Sequence, residues 1–343
     1  MFNCKNYGKV IDLSNVTLPP KQFENIWCTR PILINFKKVK FDGIDPSYWD
    51  KFIKESSRNL RELELKNCEN LPDDILCKLL SAPYASLKSF KFTSKIQSRI
   101  QGFFKPNMSK LKTLYIRKMP LNLEQFDALI QLIGQNKNLA NLNLESTYPT
   151  GGYALNLIFE FLKLRKIARL GLNNCSFFKS KGLGDIFIKH RFSLVELQLR
   201  KIPLTDRELN LISTLPNIKK LNLSDISTVS NEFLSILINS NTLIEWLNLS
   251  GCPITTSGVK VLTSLSLRKL FLAETKINSE SLFEIQKIVT LETLDISHNF
   301  IENMVETISK LLSKMETLKK IVLFGYENLV FDVARSYKIK VVS

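Results

Sequence analysis

"LVELQLRKIPLTDRELNLISTLPNIKKLNLSD", residues 194–225, contains one full period of the chain. It opens on "LVELQL" at Leu194 and closes on "IKKLNL" at Ile218, two copies of the pattern LxxLxL. Apolar residues at alternate places in each copy read as a short strand with one face buried. Between them, "TDRELNLISTL" from Thr205 sets apolar residues three and four apart behind a capping Thr, which predicts an amphipathic helix. A strand and a helix in so few residues cannot bury their apolar faces alone, so the unit must stack on copies of itself.

Those copies run along nearly the whole chain. The pattern recurs as "LRELEL" at Leu60, "LKSFKF" at Leu87, "LKTLYI" at Leu111, "LANLNL" at Leu139 and "IARLGL" at Ile167. It continues after Ile218 with "IEWLNL" at Ile244, "LRKLFL" at Leu267, "LETLDI" at Leu291 and "LKKIVL" at Leu318. Weaker copies are read at the start, "GKVIDL" at Gly8 and "FKKVKF" at Phe36, and all the starting points lie 23 to 28 residues apart. "LEQFDALIQLIGQ" from Leu123 and "NSESLFEIQKIV" from Asn278 supply further helical returns. These are leucine-rich repeats, and the chain resembles their ribonuclease-inhibitor-like class, including the cysteine-containing subtype. The resemblance implies an α/β solenoid, a horseshoe with a parallel concave sheet and convex helices in about 13 repeats. One domain over 1–343 is expected: weak repeats in 8–59, well-formed ones in 60–329 and a cap in 330–343, where "VFDVARSYKIKVVS" reads as a helix and a strand. "ESTYPTGGYALN", residues 145–156, reads as an enlarged turn that absorbs a long repeat, or as a ligand-facing loop.

The resemblance also gives the cysteines a place. Three residues after the strand motif the family carries Asn or Cys, whose side chain bonds the turning backbone, and here that place holds Cys68, Cys175, Cys252 and Asn299. A structural role is therefore expected. The six cysteines lie far apart, without a CxxC pair and with only two histidines in the chain, so neither a zinc site nor a disulfide framework is expected. No enzymatic constellation emerges either. His298 in "LDISHNFI" takes a polar surface place, His190 in "KHRF" is expected to be exposed at a helix end, and no phosphate-binding glycine motif is present. No cofactor and no metal are expected, and catalysis is not. No apolar stretch is long enough to span a membrane, and the first residues lack a secretory signal, so the cytoplasm or nucleus is expected.

Charge is the compositional anomaly, with a formal net of +16. From Ile75 to Leu123 there are ten basic residues and no acidic one. Aromatics interleave with bases over residues 89–118, a pattern that can bind nucleic acid. The repeat register instead sends Phe90 and Phe92 into the core and Phe103 and Phe104 into the return, leaving Tyr115 on the solvent side of its strand. Two readings of the basic residues remain: a merely solvated face, or a docking surface for an acidic protein. On the second reading the partner-binding residues are Lys37, Lys38, Lys40, Lys88, Lys91, Lys112, Tyr115, Arg117 and Lys118. Two other functions stay open. One is a substrate receptor of a ubiquitin ligase, although "TLPPKQFENIWC" from Thr17 is too short for an F-box; the other is nucleic-acid binding by the basic half. Trp246 stands at a variable place, where it anchors an interface or is buried against the next repeat.

Overall fold

Stacking repeats of this length demands parallel strands joined by returns on one side, and a computed structural model of the chain has that order. It describes residues 10–94, 105, 107–119, 121–147, 160–175, 182–240, 243–326, 328–337 and 339–342. Most of the enlarged turn at 145–156 lies outside these residues, as do Gly8, Phe103 and Phe104. The chain divides into two compact units, Met1–Phe177 and Phe178–Ser343.

In the first unit β1 (Val10–Ser14), β3 (Leu33–Lys37), β5 (Glu62–Lys66), β6 (Ser89–Thr93), β7 (Thr113–Arg117), β8 (Asn141–Asn143) and β9 (Arg169–Gly171) pair in that order, all parallel. Two short strands, β2 (Thr17–Leu18) and β4 (Lys40–Phe41), form a second parallel ladder just past the ends of β1 and β3. The returns include helices α1 (Pro20–Cys28), α2 (Pro46–Ser56), α3 (Ile75–Ser81) and α4 (Leu123–Gln135). In the second unit β10 (Glu196–Gln198), β11 (Lys220–Asn222), β12 (Trp246–Asn248), β13 (Lys269–Phe271), β14 (Thr293–Asp295), β15 (Lys320–Val322) and β16 (Lys340–Val342) pair likewise. The helices expected from Thr205 and Asn278 are Asp206–Ser213 and Ser279–Ile285, and the one from Leu123 is α4. Each begins on a capping box, with Asn122 and Gln125, Thr205 and Glu208, and Asn278 and Ser281 as the reciprocal pairs. Both units are therefore α/β leucine-rich-repeat stacks, and the last segment adds helix Asn328–Ser336 and β16 to the edge of β15.

The second repeat departs from the expected register. Leu33 stands opposite Glu62 and Phe36 opposite Leu65, so Phe36 is the last core residue of "PILINF" rather than the first of "FKKVKF". The leucines missing from these early repeats are replaced by rings. Phe23 of α1 lies 4.8 Å from Trp49, 5.0 Å from Trp27, 5.4 Å from Phe52 and 5.5 Å from Phe41, centroid to centroid. The F-box-like stretch "TLPPKQFENIWC" is thus a strand, a return helix and part of this core.

Two devices recur at strand ends. The first is a residue in the left-handed region: Asn15, Lys38, Asn67, Lys118, Ser146, Asn174, Lys201, Asp225, Glu274 and His298, with Gly251 and Gly325 at the same place. This conformation costs a non-glycine residue about 1–2 kcal/mol, and the N–H it turns inward is bonded to the next repeat. Lys38 N donates to Lys66 O, Lys118 N to Glu145 O, Asp225 N to Ser250 O and His298 N to Phe324 O, all at 2.7–2.9 Å. His298 is accounted for by this backbone role. The second device lies one residue on, where a donor reaches back to a carbonyl of the preceding repeat. Cys68 Sγ bonds Phe36 O at 3.4 Å, Cys175 Sγ bonds Leu144 O at 2.9 Å and Cys252 Sγ bonds Leu223 O at 3.2 Å. Asn299 Nδ2 does the same to Leu272 O at 2.8 Å, Thr147 Oγ1 to Ile116 O at 2.8 Å and Tyr326 Oη to Ile296 O at 2.7 Å.

Burial pushes the thiols up to about 11 for Cys68 and Cys252 and about 12 for Cys175, so they stay protonated and donate. Because the thiolate is the reactive form, a thiol-specific disulfide reagent at pH 8 is expected to modify exposed Cys28 in the native protein and to leave Cys68, Cys175 and Cys252 untouched until unfolding. Rapid native labelling of any of these three, read by mass spectrometry, contradicts their structural role.

Candidate functional site

Strand alternation leaves one sheet face free of the helices, and register aligns its side chains across repeats. In the first unit one row runs Asp12, Asn35, Glu64, Lys91, Tyr115 and Asn143; beside it runs Ser14, Lys37, Lys66, Thr93 and Arg117. Lys91 Nζ lies 3.1 Å from Glu64 Oε2 and 5.7 Å from the Tyr115 ring centre, so the lysine sits between carboxylate and ring. Arg117 is ion-paired with Glu145. Lys91, Tyr115 and Arg117 are half-buried and engaged within the protein. The open face holds Lys37, Lys66, Lys91, Arg117 and Arg169 against Asp12, Glu62, Glu64 and Glu145, a nearly balanced set.

The unbalanced charge lies along the margin where the strands begin. Arg61, Lys88 and Lys112 each precede a strand by one residue, and the backbone ties them in series: Lys88 N donates to Arg61 O and Lys112 N to Lys88 O, both at 2.8 Å. All three are exposed, and no carboxylate among the described residues pairs with them. Strands in a sheet lie about 4.8 Å apart, so three positive charges stand side by side. Up to about 0.8 kcal/mol of repulsion acts between neighbours at ~5 Å even in bulk water.

The same place in the second unit is built differently. It reads Lys219, Glu245, Arg268, Glu292 and Lys319, alternating in sign from repeat to repeat. Lys219 Nζ lies 4.0 Å from Glu245 Oε1, Arg268 Nε donates to Glu292 Oε1 at 2.7 Å, and Lys319 Nζ donates to Glu292 Oε2 at 3.1 Å. Hydrogen bonds from Arg268 and Lys319 hold the Glu292 carboxyl below its usual range, and Glu292 holds the Arg268 guanidinium above its own.

The remaining basic residues expected at the site are dispersed. Lys37 is exposed at the end of β3, Lys38 and Lys118 are exposed in left-handed turns at the opposite end of the strands from Lys88 and Lys112, and Lys40 is exposed in β4 of the small ladder. Arg61 belongs with Lys88 and Lys112; the signal for it was its shared place, one residue after the leading leucine of the motif. His190 is buried rather than exposed, because it turns the chain from helix to strand: its N–H bonds Ile186 O at 3.0 Å and its carbonyl accepts from Ser193 and Leu194. A solvent-open groove of about 840 Å3 is lined by Phe300, Met304, Glu306 and Tyr326, and Glu306 is already paired with Lys310. Among the described residues no group of three His, Cys, Asp or Glu side chains is placed to hold a metal, and no helix is long and apolar enough to cross a membrane.

No family model matches the chain, and no curated protein does. Among solved structures it is similar to an internalin (InlF) of Listeria monocytogenes, at 18% identity over 93% of this chain and 78% of that one, with a TM-score of 0.48. It is also similar to the yeast Rad7 and Elc1 complex, at 17% identity over 91% of this chain and 67% of that one, with a TM-score of 0.47. Leiomodin-1 actin-binding site 2 aligns with 38% of this chain and 86% of its own, at 17% identity and a TM-score of 0.33. The leucine-rich-repeat assignment rests on this chain's own strand register and strand-end bonds.

The alternating margin gives a pH signature. Glu292 has a depressed pKa when folded, so its pairs stabilise the protein above pH about 4.5 and that contribution disappears as pH falls through the lowered value. Glu292→Gln is expected to lower the melting temperature at pH 7, with the difference from the unsubstituted protein shrinking as the pH falls below about 4.5. Equal melting temperatures at pH 7 contradict the pairing.

Proposed function

We propose that this chain is a non-enzymatic protein-interaction scaffold that docks an acidic protein along the strand-start margin of its first unit, on Arg61, Lys88 and Lys112. The reading is carried by the contrast between equivalent margins: one alternates its charges and satisfies them internally, the other presents three unpaired cations in a row. Lys37, Lys38, Lys40 and Lys118 extend the positive field beyond that margin and steer an acidic partner toward it. Lys91, Tyr115 and Arg117 form a prearranged neighbouring surface, with their charges already matched by Glu64 and Glu145. A cytoplasmic or nuclear location fits buried thiols that serve as hydrogen-bond donors. The thiol and Asn299 bonds at the strand ends favour the cysteine-containing, ribonuclease-inhibitor-like subtype of the repeat.

An acidic protein fits better than a nucleic acid because the margin lacks stacking rings. Phe90 and Phe92 are buried, and Lys91 covers Tyr115. Single-stranded nucleic acid needs exposed aromatic platforms beside its cations.

The triple variant Arg61→Glu, Lys88→Glu, Lys112→Glu is expected to weaken binding of an oligoglutamate peptide about tenfold or more at low salt, measured by calorimetry. Lys219→Glu with Lys319→Glu, on the alternating margin, is expected to change it far less. Equal affinities for the triple variant and the original protein, or tighter binding of an RNA oligonucleotide of the same charge, refute the reading.

A further inference from the structure

The second unit carries a different kind of site on its open sheet face. Trp246 of β12 is half-buried, with the Phe271 ring 5.1 Å away at an interplanar angle of 46°. Register sets Lys220 of β11 opposite Trp246 on one side and Lys269 of β13 on the other. Both lysines are exposed, and neither has an ion pair among the described residues. The nearest carboxylates on this face are occupied. Glu196 accepts from Gln198 Nε2, and Asp295 Oδ1 accepts from Ser297 N at 3.0 Å and Ser297 Oγ at 2.7 Å. The result is an aromatic surface flanked by two free cations, separate from the margin proposed above.

Spacing narrows the ligand. Adjacent strands lie about 4.8 Å apart, which puts the Lys220 and Lys269 backbones roughly 10 Å from each other with Trp246 midway. An α-helix laid across the strands rises ~1.5 Å per residue, so its side chains at i and i+7 are about 10 Å apart and those at i+3 or i+4 fall between them. An extended peptide presents one face every ~6.8 Å and overshoots both lysines. The ring contact also leaves no parallel slot between Trp246 and Phe271 for a base to enter. We infer that Lys220, Trp246, Phe271 and Lys269 form a docking site for an acidic amphipathic helix of a protein partner. Carboxylates seven residues apart meet the two lysines, and a large apolar side chain halfway between them packs on Trp246.

The probe is a synthetic helical peptide with Glu at i and i+7 and Leu at i+3, titrated against the full chain. Trp27 and Trp49 are buried, so Trp246 is the tryptophan whose emission the peptide can reach. The expected result is a change in that emission on binding, with affinity lowered about tenfold by Lys220→Glu with Lys269→Glu and by replacing the peptide's Leu with Ala. The two lysines are exposed, so their variant keeps its fold, checked by circular dichroism; calorimetry on Trp246→Ala is expected to show the same loss. Arg61→Glu, Lys88→Glu, Lys112→Glu is expected to leave this binding unchanged, which separates failure here from failure of the first-unit margin. The inference is overturned if the peptide with Lys in place of Glu binds equally well, if Lys220→Glu with Lys269→Glu leaves the affinity unchanged, if a proline-broken peptide of the same composition binds equally, or if a single-stranded oligonucleotide displaces the peptide from Trp246.

Discussion

The fold depends on how each strand ends. A parallel strand must hand its chain to a return on one side of the sheet, and the turn that does so leaves backbone groups with nothing local to bond. Here a left-handed residue aims its N–H at the next repeat, and where Cys68, Thr147, Cys252 or Asn299 follows it the side chain bonds the previous one, so those junctions are tied in both directions. A net hydrogen bond contributes about 1 kcal/mol, comparable to the strain of the left-handed residue, and the two nearly offset. That balance explains why Lys, Asp, Glu, Ser and His all occupy a place where glycine is the expected residue. The junction also sets the register, and register is what turns scattered surface residues into rows.

Legibility in the sequence followed the same division. From Leu60 onward the leucine motif located the strands, because each apolar letter answers to a buried place. It failed at Phe36, where lysines and aromatics imitate the pattern while the real strand begins after Pro31 and draws its packing from the ring cluster around Phe23. It failed again at His190, since helical periodicity says nothing of a residue that leaves the helix to turn under the next strand. Tyr115 was placed on the correct side of its strand, but its partner Lys91 comes from the repeat before.

The candidate site was harder to read for a related reason. The ion pairs of the open sheet face join residues about one repeat apart: Glu64 and Lys91 are 27 residues apart, and Arg117 and Glu145 are 28. A count of charges along the chain therefore finds excess where the structure finds pairs. Charge at one fixed place of the motif, compared from repeat to repeat, is the informative quantity. By that measure Arg61, Lys88 and Lys112 stand out, whereas Lys219, Arg268 and Lys319 are paired with Glu245 and Glu292.

A row of like charges held by a sheet differs physically from a basic tail of the same composition. A flexible tail relieves its repulsion by extending, and must be ordered again to bind. Backbone bonds fix the bases of Arg61, Lys88 and Lys112 at strand spacing, so the repulsion persists in the free protein and only the side-chain ends can splay. An acidic surface that docks there removes the repulsion without ordering any backbone, and less of the interaction is lost to entropy. On the docking proposed above, the same rigidity makes the margin selective, because an acidic partner must offer its carboxylates at the pitch the repeats impose.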